Sequence, residues 1–347
     1  MALSYKASGV DIDNADQTKR VLAEKMASRD PRILHRPGSF AALFEASFPG
    51  IREPVLVMKT EEPGSKQKLA VQHGRAASVA VDMVHHLIND IIVVGARPVC
   101  VQDCIVCGKL EQATVVAIVE AIARACREND CALLGGETSE QPGIVDAGTY
   151  ILSSSIVGVV EKSRILDGST IRPGDAVLAV PSNGLHTNGY SLVRTLLTKD
   201  PALADRPVAG ERFLDAILRP HACYYQAFKG LFAHPTQMGL RGIAHITGGG
   251  IAGNLNRILP TTLDAQIDAT QLRILDVFKL IRDVGQVPDD DMLRTFNCGI
   301  GMTIVVDPAQ AEAAIAHLAT QELAAYLIGT ITPNGSATVH YAGTPSW

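Results

Sequence analysis

Acidic side chains in separate segments have the settings of metal ligands. Asp90 lies in an apolar helical stretch, where an uncompensated carboxylate would be costly to bury. Glu137 follows Gly135 and Gly136 just past an apolar, strand-like run, and ligands in open α/β sheets gather at such strand ends. Mg²⁺ binds a few carboxylates together with nucleotide phosphate oxygens. We therefore predict a Mg²⁺ site with Asp90, Glu137 and the Glu61–Glu62 pair as candidate ligands, although each carboxylate taken singly is equally well explained as a cap, an ion-pair partner or a turn residue.

A second set of residues has the composition of an anion site. Thr247, Gly248, Gly249 and Gly250 precede a helical pattern at 251–259, so unhindered backbone amides would meet the positive end of the helix dipole. This pattern predicts phosphate binding, and the alternative is an ordinary tight turn. His245 is either a donor to that anion or a core histidine.

The loop at 182–190 combines glycines with hydroxyl, amide and imidazole groups. His186 and Asn188 offer hydrogen-bond donors, and the imidazole titrates near neutral pH. The loop stands between a predicted strand and a predicted helix. The alternative role is helix capping, with Asn188 or Thr187 as the N-cap.

Two other motifs do not support the chemistry that they resemble. Cys100, Cys104 and Cys107 have the spacing of a radical-enzyme iron–sulfur site, but they fall in a strand-like run in which Cys107 points away from the other two. The stretch Gly64-Ser65-Lys66 lacks the first glycine of a phosphate-binding loop, and its Ser precedes the Lys. Lys66 remains a candidate for contact with phosphate.

The pattern of apolar residues predicts two α/β domains. The chain has 347 residues and 47% hydrophobic content, which suits two domains of about 150 residues each. In the first half, strand-like runs (55–58, 98–106, 150–160) alternate with helical runs (79–94, 111–129). The second half has strand-like runs (176–180, 299–306, 324–331) and helical runs (190–197, 214–231, 251–259, 308–318). A polar segment near residue 165 divides them, so we predict an irregular arm at 1–40 and domains at 41–165 and 166–347.

Composition excludes several classes of function. A net charge of -5 and a pI near 6.1 provide no basic surface for nucleic acid or an anionic membrane. No apolar run approaches the roughly 18 residues that span a bilayer, and the first residues do not have the pattern of a signal peptide. An odd count of 7 cysteines without regular spacing fits reduced thiols. We therefore expect a cytoplasmic protein that binds a small molecule.

Blocks of sequence along nearly the whole chain resemble the phosphoribosylformylglycinamidine cyclo-ligase (aminoimidazole ribonucleotide synthetase) family. The order of the blocks is more specific than any one of them. They are SYKASGVDID (4–13), GSFAALF (38–44), IREPVLV (51–57), INDIIVVGARP (88–98), GGETSEQPG (135–143), GVVEKSRILDG (158–168), HTNGYSLVR (186–194), IAHITGGG (243–250) and RTFNCGIGM (294–302).

The resemblance implies a two-domain α/β (α+β) fold, with an N-terminal mixed-sheet domain and a C-terminal α/β domain. It also implies a homodimer that uses ATP and Mg²⁺ to cyclise formylglycinamidine ribonucleotide. The implied roles are metal binding by Asp90, Glu137 and Glu61; ATP binding by Lys6, Thr60, Asn89, Gly135, Gly136 and Thr138; substrate binding by His245, Thr247, Gly248, Gly249 and Gly250; and catalysis by His186, Asn188 and Lys66.

One loop departs from the family pattern. Where the family has G-T-D-G-V-G-T-K, residues 59–66 read KTEEPGSK, so Lys59 and Glu62 replace glycines and Glu61 replaces the metal-binding Asp. Pro63 removes an N–H donor. Three hypotheses follow: a working cyclo-ligase, a paralogue that activates a different amide with ATP, and a non-catalytic member that binds a ligand without ATP turnover.

Overall fold

The computed structural model describes residues 9–26, 30–36, 38–333 and 335–347. The chain forms two compact units. Unit 1 comprises the described residues of Met1–Ile91 together with Ala96–Ser163, and unit 2 comprises Ile92–Gly95 with Arg164–Trp347. Within the described residues, no helix is long and apolar enough to cross a membrane.

Unit 1 packs helices on a mixed sheet. Its described elements are α1 (Ile12–Lys25), β1 (Pro54–Glu61), α2 (Lys66–Gln72), α3 (Ala76–Ile92), β2 (Arg97–Cys107), α4 (Gln112–Glu128), β3 (Ala132–Glu140) and β4 (Tyr150–Glu161). The described sheet has the order β1-β4-β2-β3, and only the β2–β3 pair is parallel. A parallel pair needs a crossover connection, and α4 provides it. The helices and strands that apolar periodicity predicts for this half are confirmed.

Two expectations for unit 1 are wrong. Residues 12–25 of the expected irregular arm form helix α1, which packs against α4. Asp11 caps this helix by accepting a hydrogen bond from the Asn14 amide at 3.3 Å. Glu137 was expected past a strand end, but β3 continues through Glu140 because residues 132–140 pair with β2.

Unit 2 is built on a larger sheet. Its described elements are β5 (Ala176–Pro181), α5 (Tyr190–Lys199), β6 (Pro207–Val208), β7 (Glu211–Arg212), α6 (Phe213–Ile217), α7 (Tyr225–Ala233), β8 (Leu240–His245), α8 (Gly250–Leu255), β9 (Leu263–Asp268), α9 (Asp276–Gly285), α10 (Asp289–Thr295), β10 (Ile300–Val306), α11 (Ala311–Ala319), β11 (Tyr326–Pro333) and β12 (Val339–Ala342). The main sheet of the described residues has the order β12-β9-β11-β5-β10-β8. Since β10 runs antiparallel to both β5 and β8, the loops that follow β5 and β8 leave the same edge of the sheet.

Two local predictions for unit 2 fail. The helix expected at 214–231 is divided into α6 and α7, and the connection between them contains Pro220. Helix α5 starts at Tyr190 as expected, but its N-cap residue is Gly189 at φ 80°, where Asn188 or Thr187 was expected. A Cβ at Gly189 would lie 2.0 Å from Phe296 Cε1, so only glycine fits there.

The cysteines are all free thiols, as predicted. Cys104 is half-buried, whereas Cys100 and Cys107 are buried. The three residues belong to β2, in which Cys104 and Cys107 project to opposite faces. This arrangement supports the rejection of an iron–sulfur site.

Lys66 forms a buried ion pair in unit 1. Its Nζ lies 2.8 Å from Asp82 Oδ2 and 3.0 Å from Oδ1, and the Lys66 and Asp82 side chains are 1% and 0% exposed. Burial lowers the pKa of Lys66, and the nearby Asp82 carboxylate opposes that effect. The expectation that Lys66 reaches a phosphate is not met in this structure, because its ammonium is enclosed beside Asp82.

We predict that Lys66→Met lowers the free energy of unfolding by about 3–5 kcal/mol, because it leaves the buried Asp82 without its cation. Denaturant unfolding measures this difference. The double variant Lys66→Met/Asp82→Leu should regain most of the loss, and Lys68→Met, at an exposed position on α2, is the control. A double variant as unstable as the single one would contradict this account.

Candidate functional site

The predicted metal ligands of unit 1 surround a lysine. Alternation along β1 places Lys59 and Glu61 on the same face of the strand, and α3 carries Asp90. Lys59 Nζ lies 2.9 Å from Glu61 Oε2 and 3.1 Å from Asp90 Oδ2. His86 Nε2 lies 3.7 Å from the same Asp90 oxygen. The ammonium of Lys59 therefore bridges two carboxylates that were predicted to bind Mg²⁺.

The protonation of Lys59 follows from these contacts. Partial burial lowers the pKa of Lys59, but hydrogen bonds and charge attraction from Glu61 and Asp90 outweigh burial, so the pKa is raised. The side chain of Asp90 is 17% exposed, which makes compensation of its charge important. The prediction that Asp90 needs a cation is met by a residue of the chain itself.

The other residues predicted to bind ATP in unit 1 are dispersed over several elements. Thr60 projects to the face of β1 opposite Lys59, where its Oγ1 lies 2.8 Å from Ser155 Oγ. Asn89 is fully buried in α3. Glu137 is exposed on β3, between the half-buried residue Thr138 and the glycines 135–136. Lys6 lies outside the described residues.

Asp103 is a buried carboxyl group that sequence reasoning missed. It lies on β2, is 6% exposed, and its Oδ1 has no hydrogen-bond partner among the described residues. Burial raises the pKa of Asp103 to about 7. A Cβ at Gly136 would lie 2.4 Å from this oxygen, so glycine at 136 makes room for the carboxyl group. The sequence does indicate this buried carboxyl group, because Asp103 is the one acidic residue inside the apolar run VCVQDCIVC.

In unit 2, the loop between β5 and α5 holds His186 in a strained backbone conformation. Its φ is 59°, in the left-handed region that residues other than glycine rarely adopt, and such residues concentrate at functional sites. His186 Nε2 lies 3.1 Å from Asn183 Oδ1. Asn183 Nδ2 donates to the Pro220 carbonyl at 2.8 Å, so Asn183 joins this loop to the α6–α7 connection.

His186 belongs to a buried group of histidines. The rings of His186 and His221 are stacked, with centroids 3.8 Å apart, and His221 Nε2 lies 3.2 Å from His245 Nε2. A Cβ at Gly301 would lie 3.0 Å from His186 Cε1 and 1.8 Å from the Tyr224 hydroxyl oxygen, so only glycine allows this packing. His221 was not singled out from sequence because it falls inside the stretch predicted to be helical.

The glycine-rich turn after β8 differs from the predicted anion cradle. The amides of Gly249 and Gly250 donate to the carbonyls of Arg294 and Thr247 at 2.9 and 3.1 Å. The expectation that all of the glycine amides would face a ligand is therefore wrong. Helix α8 is also short, since it covers Gly250–Leu255 and a 3₁₀ turn follows. Phosphate binding by this turn stays a prediction.

Asn254 organises that turn and was also missed. Its Nδ2 lies 3.4, 3.2 and 2.8 Å from the carbonyl oxygens of Thr247, Gly248 and Gly250. Thr247 Oγ1 donates to Asn254 Oδ1 at 3.2 Å. A Cβ at Gly248 would lie 3.2 Å from Asn188 Oδ1. The turn and Asn188, predicted separately as parts of a substrate site, are therefore neighbours in unit 2.

Comparisons with known proteins identify the family. The AIR synthase related protein N-terminal domain matches residues 49–160, and the AIR synthase related protein C-terminal domain matches residues 172–342. The phosphoribosylformylglycinamidine cyclo-ligase of Bordetella petrii is 44% identical over 332 residues, which cover 95% of this chain and 94% of the relative. The chain belongs to the phosphoribosylformylglycinamidine cyclo-ligase family. The cyclo-ligase of Chromobacterium violaceum is 42% identical over 332 residues, which cover 95% of each chain.

Solved structures of other proteins share the cyclo-ligase fold. Hydrogenase maturation protein HypE in complex with ATP aligns with a TM-score of 0.69 at 18% identity, over 96% of this chain and 92% of that chain. Thiamine-monophosphate kinase from Stenotrophomonas maltophilia aligns with a TM-score of 0.66 at 19% identity, over 94% of this chain and 95% of that chain. These similarities show the fold alone, and with the two matched domains they confirm the expected fold class.

The raised pKa of Asp103 predicts that the free energy of unfolding depends on pH. A carboxyl group whose pKa is raised from 3.8 to about 7 favours the folded state below the lower value, and this contribution is lost as the pH rises through about 7. Asp103→Asn has no carboxyl group to ionise, so it avoids this loss. Its free energy of unfolding relative to wild type should therefore increase by up to about 3 kcal/mol when the pH is raised from 5 to 8.

Urea unfolding at both pH values measures this gain. Asp146→Asn, at an exposed position in unit 1, is the matched control. Parallel pH curves for Asp103→Asn and wild type would show that Asp103 keeps its ordinary acidity.

Proposed function

We propose that this protein closes the imidazole ring of aminoimidazole ribonucleotide from formylglycinamidine ribonucleotide, with conversion of ATP to ADP and phosphate, in purine biosynthesis. The observation that carries the proposal is 44% identity to a cyclo-ligase over 95% of the chain. The grouping of His186, Asn188 and the 247–250 turn in unit 2 supports it, because the first two were expected to contact the reacting amide and the turn to bind the substrate phosphate.

The chemistry requires activation of an amide. An amide oxygen is a poor leaving group, so transfer of the γ-phosphoryl group of ATP to that oxygen makes it able to depart as phosphate. A nitrogen of the amidine side then attacks the activated carbon and forms the ring. The protein mainly positions the reactants and neutralises charge. In this proposal His186 and Asn188 contact the reacting amide, and His245 with the 247–250 turn binds the substrate phosphate.

In unit 1 we propose a binding surface for ATP. Lys66 is left out of this surface because its ammonium is buried beside Asp82. The residues proposed to contact the nucleotide are Lys6, Thr60, Asn89, Gly135, Gly136 and Thr138.

The family implies Mg²⁺, and the acidic residues fit it unequally. Glu61 and Asp90 do not present an open cation site, because Lys59 Nζ is within 2.9 and 3.1 Å of their oxygens. We infer that Lys59 supplies fixed positive charge at this position. Glu137, exposed on β3, remains the candidate carboxylate for Mg²⁺.

We also propose a homodimer formed through unit 1. The face of the sheet that carries Thr60 exposes apolar side chains: Leu56 is 49% exposed, Met58 69% and Ile151 45%. Neighbouring exposed apolar residues mark interaction surfaces. The free thiols fit a reducing compartment, so the cytoplasm is the proposed location.

A paralogue that activates a different amide is the second candidate function. The observation that favours it is Lys59, which replaces a glycine of the family loop and bridges Glu61 and Asp90. A non-catalytic member remains the third hypothesis, because Glu62 and Pro63 also change this loop.

We expect purified protein with formylglycinamidine ribonucleotide and ATP to form aminoimidazole ribonucleotide, ADP and phosphate in equal amounts. Asp90→Asn should abolish turnover with an unchanged circular dichroism spectrum, because it breaks the charge balance around Lys59. The wild-type assay tests the substrate. ATP turnover that is stimulated by another amide and not by this substrate would support the paralogue, and no binding of a non-hydrolysable ATP analogue would support the non-catalytic member.

Lys59→Met should raise the affinity for Mn²⁺, used as a paramagnetic probe for Mg²⁺, by at least about tenfold, because it frees Glu61 and Asp90 from their ammonium. Mn²⁺ electron paramagnetic resonance without nucleotide measures free and bound ion directly. Lys68→Met, which removes an exposed lysine of α2, is the control. Equal Mn²⁺ affinity in Lys59→Met and wild type would show that these carboxylates are not a latent metal site.

A further inference from the structure

Three consecutive residues of the α6–α7 connection contact the loop that carries His186. Arg219 Nη1 donates to the Asn183 carbonyl at 2.7 Å, and the Pro220 carbonyl accepts from Asn183 Nδ2 at 2.8 Å. The ring of His221 stacks on the ring of His186, with centroids 3.8 Å apart and an interplanar angle of 19°. The connection therefore holds this loop at three successive positions.

His221 also contacts the end of β8. Its Nε2 lies 3.2 Å from Nε2 of His245, and the two ring centroids are 5.3 Å apart. His186, His221 and His245 are 2%, 1% and 6% exposed. Because bulk water is largely excluded here, a hydrogen bond between these rings competes little with solvent. His221 therefore joins His186 to His245 through one ring stack and one hydrogen bond.

We propose that His221 is a positioning residue for ring closure, which orients His245 through the hydrogen bond and His186 through the stacked ring face. This inference rests on the proposed function, in which His186 contacts the reacting amide and His245 helps to bind the substrate phosphate. His221 acts on the reaction through these two neighbours.

The His186 ring is held at its edge and at its face. Asn183 Nδ2 donates to the Pro220 carbonyl, which leaves Asn183 Oδ1 as the acceptor for His186 Nε2–H at 3.1 Å. The neutral ring then carries its lone pair on Nδ1. Since His221 covers the ring face, both the tautomer and the direction of His186 Nδ1 are restricted. Orientation of this kind is what a reaction between bound groups requires.

The hydrogen bond between His221 and His245 links the tautomers of the two rings. A hydrogen bond between imidazoles needs one N–H and one lone pair. When both rings are neutral, one Nε2 carries a proton, and the other ring carries its proton on Nδ1. A histidine that binds phosphate must present an N–H to the phosphate oxygens. His221 therefore affects which nitrogen of His245 can be that donor.

The competing explanation is that His221 only fills space beside His186. In that case Phe, which is aromatic and of similar size, should replace His221 without effect on His245. In the positioning role, His221→Phe keeps the stack on His186 but removes the hydrogen bond to His245. His221→Gln keeps a polar group for His245 but removes the ring, so the two variants separate the two contacts.

Steady-state kinetics of ring closure by the full chain provide the first test. His221→Phe should raise KM for formylglycinamidine ribonucleotide by about tenfold and leave kcat within about twofold of wild type, because it weakens ground-state binding through His245. His221→Gln should keep KM within about threefold of wild type and lower kcat by about tenfold, because His186 loses its stacking partner.

His317→Asn is the matched control, because His317 is a half-buried histidine of unit 2 that contacts the Ala227 carbonyl at 3.2 Å, outside this group. It should match wild type in both KM and kcat. Equal changes of KM and kcat in His221→Phe and His221→Gln would show a merely structural role and overturn the proposal.

Nitrogen-15 NMR of histidine-labelled protein provides a second test that needs no turnover. The ring signals of His245, identified by their loss in His245→Gln, should move in His221→Phe and return towards wild type in His221→Gln. Unchanged His245 signals in folded His221→Phe would overturn the proposal. If wild type forms no aminoimidazole ribonucleotide, the proposed function fails, and these spectra alone decide whether His221 orients His245.

Discussion

A carboxyl group buried in unit 1 must either pair with a cation or be protonated, because an uncompensated buried charge is costly. Three carboxyl groups of the unit are subject to this constraint. Asp82 forms an ion pair with Lys66, and Asp90 forms one with Lys59. Asp103 has no such partner among the described residues, and burial raises its pKa to about 7. The Lys66–Asp82 pair joins α2 to α3, and the Lys59–Asp90 pair joins β1 to α3. Asp103 of β2 lies against Gly136 of β3. The polar chemistry of unit 1 is therefore also part of what holds its elements together.

In unit 2, two neutral amides hold the loops of the candidate site, although ion pairs such as Arg241–Asp175 occur elsewhere in the unit. Asn254 binds three carbonyl oxygens of the turn at 247–250, and Asn183 joins the loop of His186 to Pro220. An amide group carries both donors and an acceptor, so one side chain can fix a loop without adding charge.

The sequence predicted the parts of the structure that depend on local pattern. Apolar periodicity placed β1, α3, β2 and α4, and the apolar setting of Asp90 showed that its charge needs compensation. The pattern was less informative where strand pairing between distant segments decides the secondary structure. In β3, the glycines at 135–136 indicate a loop, but pairing with β2 extends the strand through them. Lys59, His221 and Asn254 were missed as site residues for the same reason, since their partners are chosen by the tertiary fold.

The bridge from Lys59 to Glu61 and Asp90 differs from a metal ion in how the compensating charge is held. A bound metal ion exchanges with solution, so its occupancy follows the free concentration of that ion in the cell. An ammonium on a strand of the same chain cannot diffuse away, and its effective concentration at the two carboxylates is set by the backbone. The compensation of these two carboxylates by Lys59 is therefore permanent, whereas compensation by a dissociable ion would vary with the concentration of that ion.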